Sequence, residues 1–293
     1  MHQSNFSINI IEINLNGRAF MTRKILHWRQ FFIPLFFSVI FTSTGTPSAR
    51  AQAPDLPPLF SFSLDLTSFP SLDSLEVSDT NNVDRSHYLF AFNKIQAWNE
   101  DVHSQLVVPL AALKSAFSEQ PISKGNNSWE WSYYFVEGSI RYDVTLQAKY
   151  TEHGFQWDLY ISPTTTTAYF RWATGWAKSD MSVGWWQVSK SPEEPAPFID
   201  VEWHQDFDLG TYDSRFTVVT PEGAANGNFL FIGLDFEEPN FAFIKLYSVE
   251  DNTLREVLWN PDTYEGFVKD KKFFGDNNPR CWDGNLNNNE CEK

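Results

Sequence analysis

Residues 140–161 read IRYDVTLQAKYTEHGFQWDLYI, and this stretch decides the fold class. Apolar and polar residues alternate one by one over residues 140–150, and the alternation resumes over residues 155–161. Because successive side chains of a β-strand point to opposite faces of the sheet, this period of two predicts two strands with one buried face each. The turn-forming residues Glu152-His153-Gly154 between them predict an antiparallel pair.

The same pattern continues toward the C-terminus, with turn residues such as Gly210 and Asp251-Asn252 between the strand-like runs. We expect further strands near residues 129–136, 168–177, 183–189, 198–207, 211–220, 229–236, 241–249, 254–259 and 266–270. Sequential strands joined by short turns favour a mainly β fold, an antiparallel meander of about ten strands in a barrel-like or two-layer sheet. The chain has no long internal repeat, which excludes a solenoid or a propeller.

One segment before these strands has a helical period. Large apolar residues recur there at steps of three and four positions: Tyr88, Phe92, Ile95, Trp98, Val102 and Leu106. The spacing predicts one N-terminal amphipathic helix near residues 86–108, packed on the sheet, with Asp84 at the N-cap and a kink or restart at Pro109. We therefore expect a single helix-plus-β domain over residues 84–293, preceded by an extended Pro- and Ser-rich lead-in at residues 52–83.

Residues 1–51 are predicted to be an upstream extension followed by a secretory signal peptide. Three basic residues (Arg23, Lys24 and Arg29) precede an apolar run at residues 31–41, and Ala49-Arg50-Ala51 follows it. This order is typical of a signal peptide, and the apolar run is shorter than the roughly 20 residues that span a bilayer. We expect cleavage after Ala51, no transmembrane segment after cleavage, and a periplasmic, cell-surface or extracellular location.

Composition restricts the classes of partner. The chain has 293 residues, of which 42% are hydrophobic and 17% aromatic, and its formal net charge is −15. Residues 1–51 hold five basic residues and one acidic residue, so removing them changes the net charge to −19. Nucleic acids attract clustered Lys and Arg, so we expect no nucleic-acid partner. The two cysteines, Cys281 and Cys291, are expected to form a disulfide in an oxidising compartment.

Five short motifs stand out along the chain: Trp98-Asn99, Leu106-Val107-Val108-Pro109, Trp129-x-Trp131, Gly184-Trp185 and Cys281-Trp282-Asp283. Together they resemble a set of uncharacterised bacterial exported envelope proteins and lipoproteins. The resemblance covers most of the chain after residue 51 and implies a location in the cell envelope. It implies no activity, and this chain lacks the cysteine to which a lipoprotein attaches its lipid.

Acidic residues recur at every second position of one predicted strand, with a histidine among them: Asp200, Glu202, His204, Asp206 and Asp208. Side chains at this spacing share one face, where they could bind a hard cation or act as general acid and base. The strand partly resembles the E-x-D-x-E strand of family 16 glycoside hydrolases, but Phe198 occupies the place of the nucleophilic Glu. Asp200, Glu202 and His204 are the catalytic candidates, and a solvated strand face is the alternative.

Tryptophans recur on successive predicted strands. The candidates for ligand binding are Trp157, Trp172, Trp176, Trp185 and Trp203. If the strands close, some of these rings would line a cavity for an apolar molecule or form a platform for a glycan. The alternative is ordinary core packing, to which large aromatic side chains contribute most of the buried area.

Two classes of function follow from these signals. The leading hypothesis is an exported, non-catalytic binding or envelope-associated protein that holds an apolar ligand in an aromatic-lined, barrel-like cavity. The alternative is a carbohydrate-binding module or a carbohydrate-active enzyme that uses the acidic strand at residues 200–208. Because the chain has no G-x-S-x-G motif and no His-rich metal motif, we expect no cofactor and no metal site, and we favour a protein without catalytic activity.

Overall fold

The computed structural model describes residues 8–13, 19–24, 52–63, 66–71, 83–165, 169–220, 223–235 and 241–291. The chain divides into two compact units, Met1–Arg50 and Ala51–Lys293. In the first unit, strands β1 (Ile8–Ile13) and β2 (Ala19–Lys24) pair in antiparallel orientation. Strand β2 includes two basic residues of the predicted signal peptide, whose apolar run and cleavage site lie outside the described residues.

The second unit holds the remaining elements. Its helical elements are a 3₁₀ turn (Leu59–Ser61), α1 (Ser86–Ala116) and α2 (Lys271–Phe274). Its strands are β3 (Ile122–Gly125), β4 (Ser128–Glu137), β5 (Ile140–Tyr150), β6 (Gly154–Pro163), β7 (Phe170–Lys178), β8 (Val183–Ser189), β9 (Pro197–Asp206), β10 (Thr211–Val218), β11 (Phe229–Leu234), β12 (Ala242–Ser248), β13 (Thr253–Trp259), β14 (Gly266–Lys269), β15 (Arg280–Trp282) and β16 (Asn288–Asn289).

Within the described part of this unit, fourteen strands form one sheet whose order follows the chain from β3 to β16, and neighbouring strands are antiparallel. The prediction of a mainly β, antiparallel meander is confirmed. The expected number of about ten strands is too low, because β3, β15 and β16 have only two to four residues and are too short to show an alternating pattern. No pairing between described residues joins β3 to β16, so the sheet is open and barrel closure is not confirmed.

The two faces of the sheet differ in polarity. In β5, Tyr142, Val144, Leu146 and Ala148 are buried, while the intervening side chains are exposed or half-buried. We call the buried side the inner face and the other side the outer face. The largest fully buried side chains of the inner core include Trp131, Trp157, Trp186, Trp259 and Trp282. Much of the tryptophan content therefore serves packing, which leaves only a few rings for contact with a ligand.

Helix α1 connects the two ends of the sheet. Near its N-terminus, the His87 backbone N–H donates to Asn288 Oδ1 of β16 at 3.0 Å, and His87 Nδ1 lies 2.9 Å from the carbonyl oxygen of Cys281 in β15. Near its C-terminus, Tyr133 Oη of β4 donates to the Ala112 carbonyl oxygen at 2.6 Å. His87 and Ala112 are about 38 Å apart along a helix, whereas β4 and β15 would be about 53 Å apart in a flat sheet. The sheet is therefore bowed around the helix.

Helix α1 is longer than the sequence predicts. The sequence predicts a kink or a restart at Pro109, but the helix continues through this residue to Ala116. A proline removes one backbone hydrogen bond from a helix, but Ala112 and Leu113 beyond it are fully buried against the sheet. Packing of this last stretch stabilises the helical conformation, because tertiary contacts supply most of the stability of a helix in a protein.

The residues that flank α1 also differ from expectation. Arg85 occupies the N-cap position, and Asp84 lies one residue earlier, where its Oδ1 accepts the backbone N–H of Ser86 at 3.0 Å. Asn126 and Asn127 form the turn between β3 and β4, with positive φ values of 50° and 54°. Asn tolerates this left-handed conformation better than most residues, which explains its use in this tight turn.

The lead-in lies against the inner face. Phe62 is fully buried, and its ring centroid is 4.9 Å from that of Trp186. The indole N–H of Trp186 donates to Ser61 Oγ at 3.1 Å, and the indole N–H of Trp259 donates to the Ser68 carbonyl oxygen at 2.8 Å. The described residues of the lead-in therefore fill part of the inner side of the sheet, the space that the leading hypothesis assigns to an apolar ligand.

The C-terminal loop is closed by a disulfide. Cys281 and Cys291 are bonded, which confirms the predicted pair. Within the loop, Asp283 Oδ1 accepts the backbone N–H groups of Asn285 and Asn287, each at 2.9 Å. These bonds hold together the loop that presents β16 to α1. None of the helices in the described ranges has the length and hydropathy needed to cross a membrane.

Candidate functional site

The outer face of β7–β11 contains a depression of about 350 Å³. Its lining comes from five neighbouring strands and consists of the buried Trp203, whose indole points to the inner face, together with outer-face side chains that include Trp176, Trp185, Glu202, His204, Asp213, Arg215 and Phe231. Three of the tryptophans and two residues of the acidic strand that the sequence analysis singles out therefore line the same depression. We call this depression the outer-face site.

Two tryptophans form one wall of the outer-face site. Trp176 and Trp185 are register partners on β7 and β8, so their side chains lie next to each other on the outer face. The Trp176 indole N–H donates to Thr151 Oγ1 at 3.4 Å, and its ring is half-buried. Trp185 is 41% exposed and has no hydrogen-bond partner among the described residues. The wall therefore combines a fixed ring with a ring that is free to contact a ligand.

A negatively charged and a positively charged side chain lie opposite each other in the middle of the site. Glu202 and Arg215 are register partners on β9 and β10, and both are exposed. The Arg215 guanidinium lies 4.1 Å from the centroid of the Phe229 ring, a cation–π contact, and does not form an ion pair with the carboxylate. Glu202 has no ion-pair or hydrogen-bond partner in the part of the chain that the structure describes. Its carboxylate is therefore available to accept hydrogen bonds from a ligand.

A histidine and a second carboxylate lie beside this pair. His204 Nδ1 is 3.6 Å from Asp213 Oδ2, and the two residues are register partners on β9 and β10. Burial raises the pKa of Asp213 above the ordinary value for an aspartate, and the neighbouring imidazole partly opposes that shift. A carboxyl group in this setting accepts hydrogen bonds when ionised and also donates one when protonated.

Gly184 of β8 lies between the outer-face site and a buried tryptophan of the core. Gly184 lines the depression and is the register partner of Trp203, whose indole lies over it on the inner face. A β-carbon at position 184 would collide with that indole ring and with the carbonyl oxygen of Trp176. The absence of a side chain at Gly184 therefore lets the Trp203 indole pack against β8, where its ring centroid is 6.1 Å from that of the buried Trp186.

The remaining tryptophan candidates lie elsewhere. Trp157 and Trp172 are buried on the inner face, and the structure does not bring them to the outer-face site. Neither indole N–H has a hydrogen-bond acceptor among the described residues. Their assignment as ligand-binding residues stays a prediction.

The row of acidic residues also divides. Asp200 Oδ1 accepts a hydrogen bond from Gln187 Nε2 at 3.2 Å, and Asp200 is not among the lining residues. Asp206 Oδ1 accepts the backbone N–H groups of Asp208 and Leu209 at 2.9 and 3.0 Å, so Asp206 stabilises the turn after β9. Only Glu202 and His204 of this row reach the depression.

The sequence analysis missed three residues of the site, Asp213, Arg215 and Phe231. Asp213 and Arg215 alternate with the buried Ser214 and Phe216 along β10, so an alternating pattern places them on the outer face. The register between β9 and β10 decides that they lie opposite His204 and Glu202. The turn at Gly210 predicts that β9 and β10 pair, but it does not predict the exact register between them.

A second, larger opening lies between the lead-in and α1. This groove has a volume of about 910 Å³, and its walls include Leu59, Phe60, Leu66, Phe117 and Tyr212. The rings of Phe60 and Tyr212 are stacked with centroids 4.7 Å apart, and Phe117 is 53% exposed. The groove is therefore mainly apolar, and it is open to solvent.

Among the described residues, no three His, Cys, Asp or Glu side chains are grouped in a way that could hold a metal ion. Comparison with known proteins identifies no relative, because no protein-family model, no curated protein and no solved structure matches the chain. The functional interpretation therefore rests on the geometry of the outer-face site.

Proposed function

We propose that this chain is an exported, non-catalytic binding protein and that its outer-face site binds a saccharide. One observation carries the proposal. Trp185 offers an exposed ring directly beside Glu202, whose carboxylate has no partner among the described residues. Aromatic side chains contact the C–H faces of sugar rings, and charged side chains form hydrogen bonds with the hydroxyl groups at the edges of the same sugar rings. The site offers both kinds of contact side by side.

The charges of the site favour a saccharide over an apolar ligand. An apolar molecule that covered Glu202, His204 and Arg215 would remove water from these side chains and supply no hydrogen bonds in return. A ligand rich in hydroxyl groups replaces the lost water with donors to the carboxylate and acceptors for the guanidinium. This reasoning selects the carbohydrate alternative for the outer-face site.

A second candidate ligand is an apolar molecule, and the groove between the lead-in and α1 favours it. The leading sequence hypothesis placed such a ligand inside a barrel-like cavity, where the lead-in now fills part of the space. The groove has apolar walls and a volume within the range of small-molecule sites. In this proposal the apolar ligand lies beside the lead-in, next to Phe60 and Phe117.

Export to the cell envelope is part of the proposal. Its support is the order of charge, apolar run and small residues over residues 21–51, together with a disulfide typical of oxidising compartments. The resemblance to bacterial envelope proteins and lipoproteins agrees with this location. A strongly acidic chain is also well suited to remain soluble outside the cytoplasm.

The proposal is tested by calorimetric titration of the processed protein with a panel of saccharides and one fatty acid. We expect saturable binding of at least one saccharide and a loss of affinity of about tenfold or more in Trp185→Ala. The matched control is Tyr134→Ala, which removes an exposed ring from β4, far from the site in strand order. Both variants should keep the unfolding free energy within about 0.5 kcal/mol of the parent.

Absence of saccharide binding, or equal loss of affinity in both variants, would overturn the assignment of the outer-face site. Cleavage of the bound saccharide would contradict the non-catalytic part of the proposal. Fatty-acid binding that is lost in Phe117→Ser but kept in Trp185→Ala would support the groove as the ligand site.

A further inference from the structure

Five side chains of the outer face form one straight row across the sheet. Following the register from β7 to β11, the row reads Trp176, Trp185, Glu202, Arg215 and Phe231. All five line the outer-face site. The row therefore has aromatic rings at both ends and a pair of opposite charges in the middle.

The length of this row exceeds the size of one sugar ring. Neighbouring strands are about 4.8 Å apart, so Trp185 on β8 and Phe231 on β11 are separated by about 14 Å. One pyranose ring on Trp185 cannot also contact Phe231. A ligand that contacts both aromatic ends must be a chain of several sugar units that lies across the strands.

The middle of the row suits such a chain. Opposite charges on neighbouring strands usually attract each other, yet the Arg215 guanidinium is held over Phe229 and the Glu202 carboxylate is unpaired among the described residues. An acceptor and a donor thus stand one strand apart between the aromatic ends. Sugar units between Trp185 and Phe231 would pass over both and form hydrogen bonds with each.

The row is limited at both ends. Beyond Trp176, the register partner on β6 is Gln156, whose Nε2 donates to Thr174 Oγ1 at 3.0 Å. Beyond Phe231, the partner on β12 is Lys245, whose Nζ lies 5.5 Å from the Phe243 ring centroid. These side chains are engaged with their own neighbours, so the aromatic contacts of the row end at Trp176 and Phe231.

We infer that the outer-face site binds a linear oligosaccharide, lying across β7–β11, with Trp176 and Trp185 at one end and Phe231 at the other. The inference rests on the proposed saccharide function and adds the size of the ligand and its direction. Binding strength then increases with the number of sugar units until the chain reaches from Trp185 to Phe231, and further units add nothing.

The test is calorimetric titration of the processed protein with a homologous series of one neutral linear saccharide, from the monosaccharide to the hexasaccharide. The series is chosen from a saccharide that binds in the panel above. For the parent protein we expect affinity to increase with length and then to level off. In Phe231→Ala, the long members should lose about three- to tenfold in affinity, while the shortest member that binds should be unaffected.

Phe267→Ala is the matched control, because Phe267 is also a half-buried ring on the outer face but lies on β14, outside the row. It should leave the length dependence unchanged. If all lengths bind equally, or if Phe231→Ala and Phe267→Ala have the same effect, the oligosaccharide inference is wrong although the saccharide proposal stands. If no member of the series or of the panel binds, the proposed function itself fails.

Discussion

Asp213 and Asp180 are aspartates near the same end of the outer face, yet their surroundings shift their pKa values in opposite directions. Burial raises the pKa of Asp213, with the His204 imidazole in partial opposition. Hydrogen bonds from Lys178 and from the hydroxyl and backbone N–H of Ser182 lower the pKa of Asp180. The ionised form is therefore disfavoured at position 213 and favoured at position 180.

This contrast predicts the effect of Asp213→Asn on stability. The folded-state pKa of Asp213 lies above the unfolded value of about 3.9, so between these two pKa values the folded protein binds more protons than the unfolded chain. The free energy of unfolding therefore declines as the pH rises through the folded pKa. An amide cannot ionise. We therefore expect the variant to have a higher free energy of unfolding than the parent at pH 7 and the same free energy at pH 3, measured by urea denaturation.

Asp180→Asn is the matched control with the opposite sign. Its folded pKa lies below the unfolded value, so the carboxylate stabilises the fold above about pH 3.9 and loses that effect as the pH falls through the folded pKa. The variant should be less stable than the parent at pH 7. Equal responses of the two variants to pH would contradict the assigned environments.

At the scale of elements, the described residues of the lead-in have no regular structure beyond the 3₁₀ turn and yet contribute to the core. Phe62 packs on Trp186, and Phe69 packs edge-on against Trp259 with centroids 5.0 Å apart. The Ser214 hydroxyl donates to the Phe60 carbonyl oxygen at 3.0 Å, which satisfies a backbone group of the lead-in. The segment is therefore a structural part of the sheet domain, beyond its role as a connection to the N-terminal unit.

The importance of this packing is tested by Phe62→Ala. Removing a fully buried phenylalanine leaves a cavity next to Trp186, and we expect the free energy of unfolding to fall by about 3–5 kcal/mol. Chemical denaturation measures the change. Phe207→Ala is the control, because Phe207 is 65% exposed, and its effect should stay within about 0.5 kcal/mol. An equally small effect at position 62 would show that the lead-in does not contribute to the core.

The elements differ in how well sequence alone predicts them. Strands β4 to β13 and the buried face of α1 have enough residues for their periods to be recognised. The docking of Phe62 has no such signal, since its partners lie more than a hundred residues away and no local pattern records them. Similarly, the sequence identifies Glu202 on its own strand, but its position opposite Arg215 depends on the register between β9 and β10. Turn length and packing together determine that register.

At the scale of the whole molecule, we predict that the exported product begins at Gln52. The compact second unit is Ala51–Lys293, so cleavage after Ala51 would remove only its first residue. Intact mass and N-terminal sequencing of the product from an exporting host measure the new terminus. A product that still begins at Met1 or Met21 would contradict the predicted signal peptide.

The route by which α1 is held has a consequence for the order of folding. Each strand from β3 to β16 pairs with its neighbour in sequence, so most of the sheet can assemble strand by strand while the chain is synthesised from its N-terminus. The first turn of α1 is different, since its hydrogen-bond partner Asn288 is 201 residues further along. The Asp84 carboxylate and the Pro70 carbonyl oxygen can contact this turn early, whereas the bond to Asn288 forms only after residue 288 has been synthesised. Among the described strands β16 joins the sheet last, so its hydrogen bond to α1 forms only once the strands before it are in place.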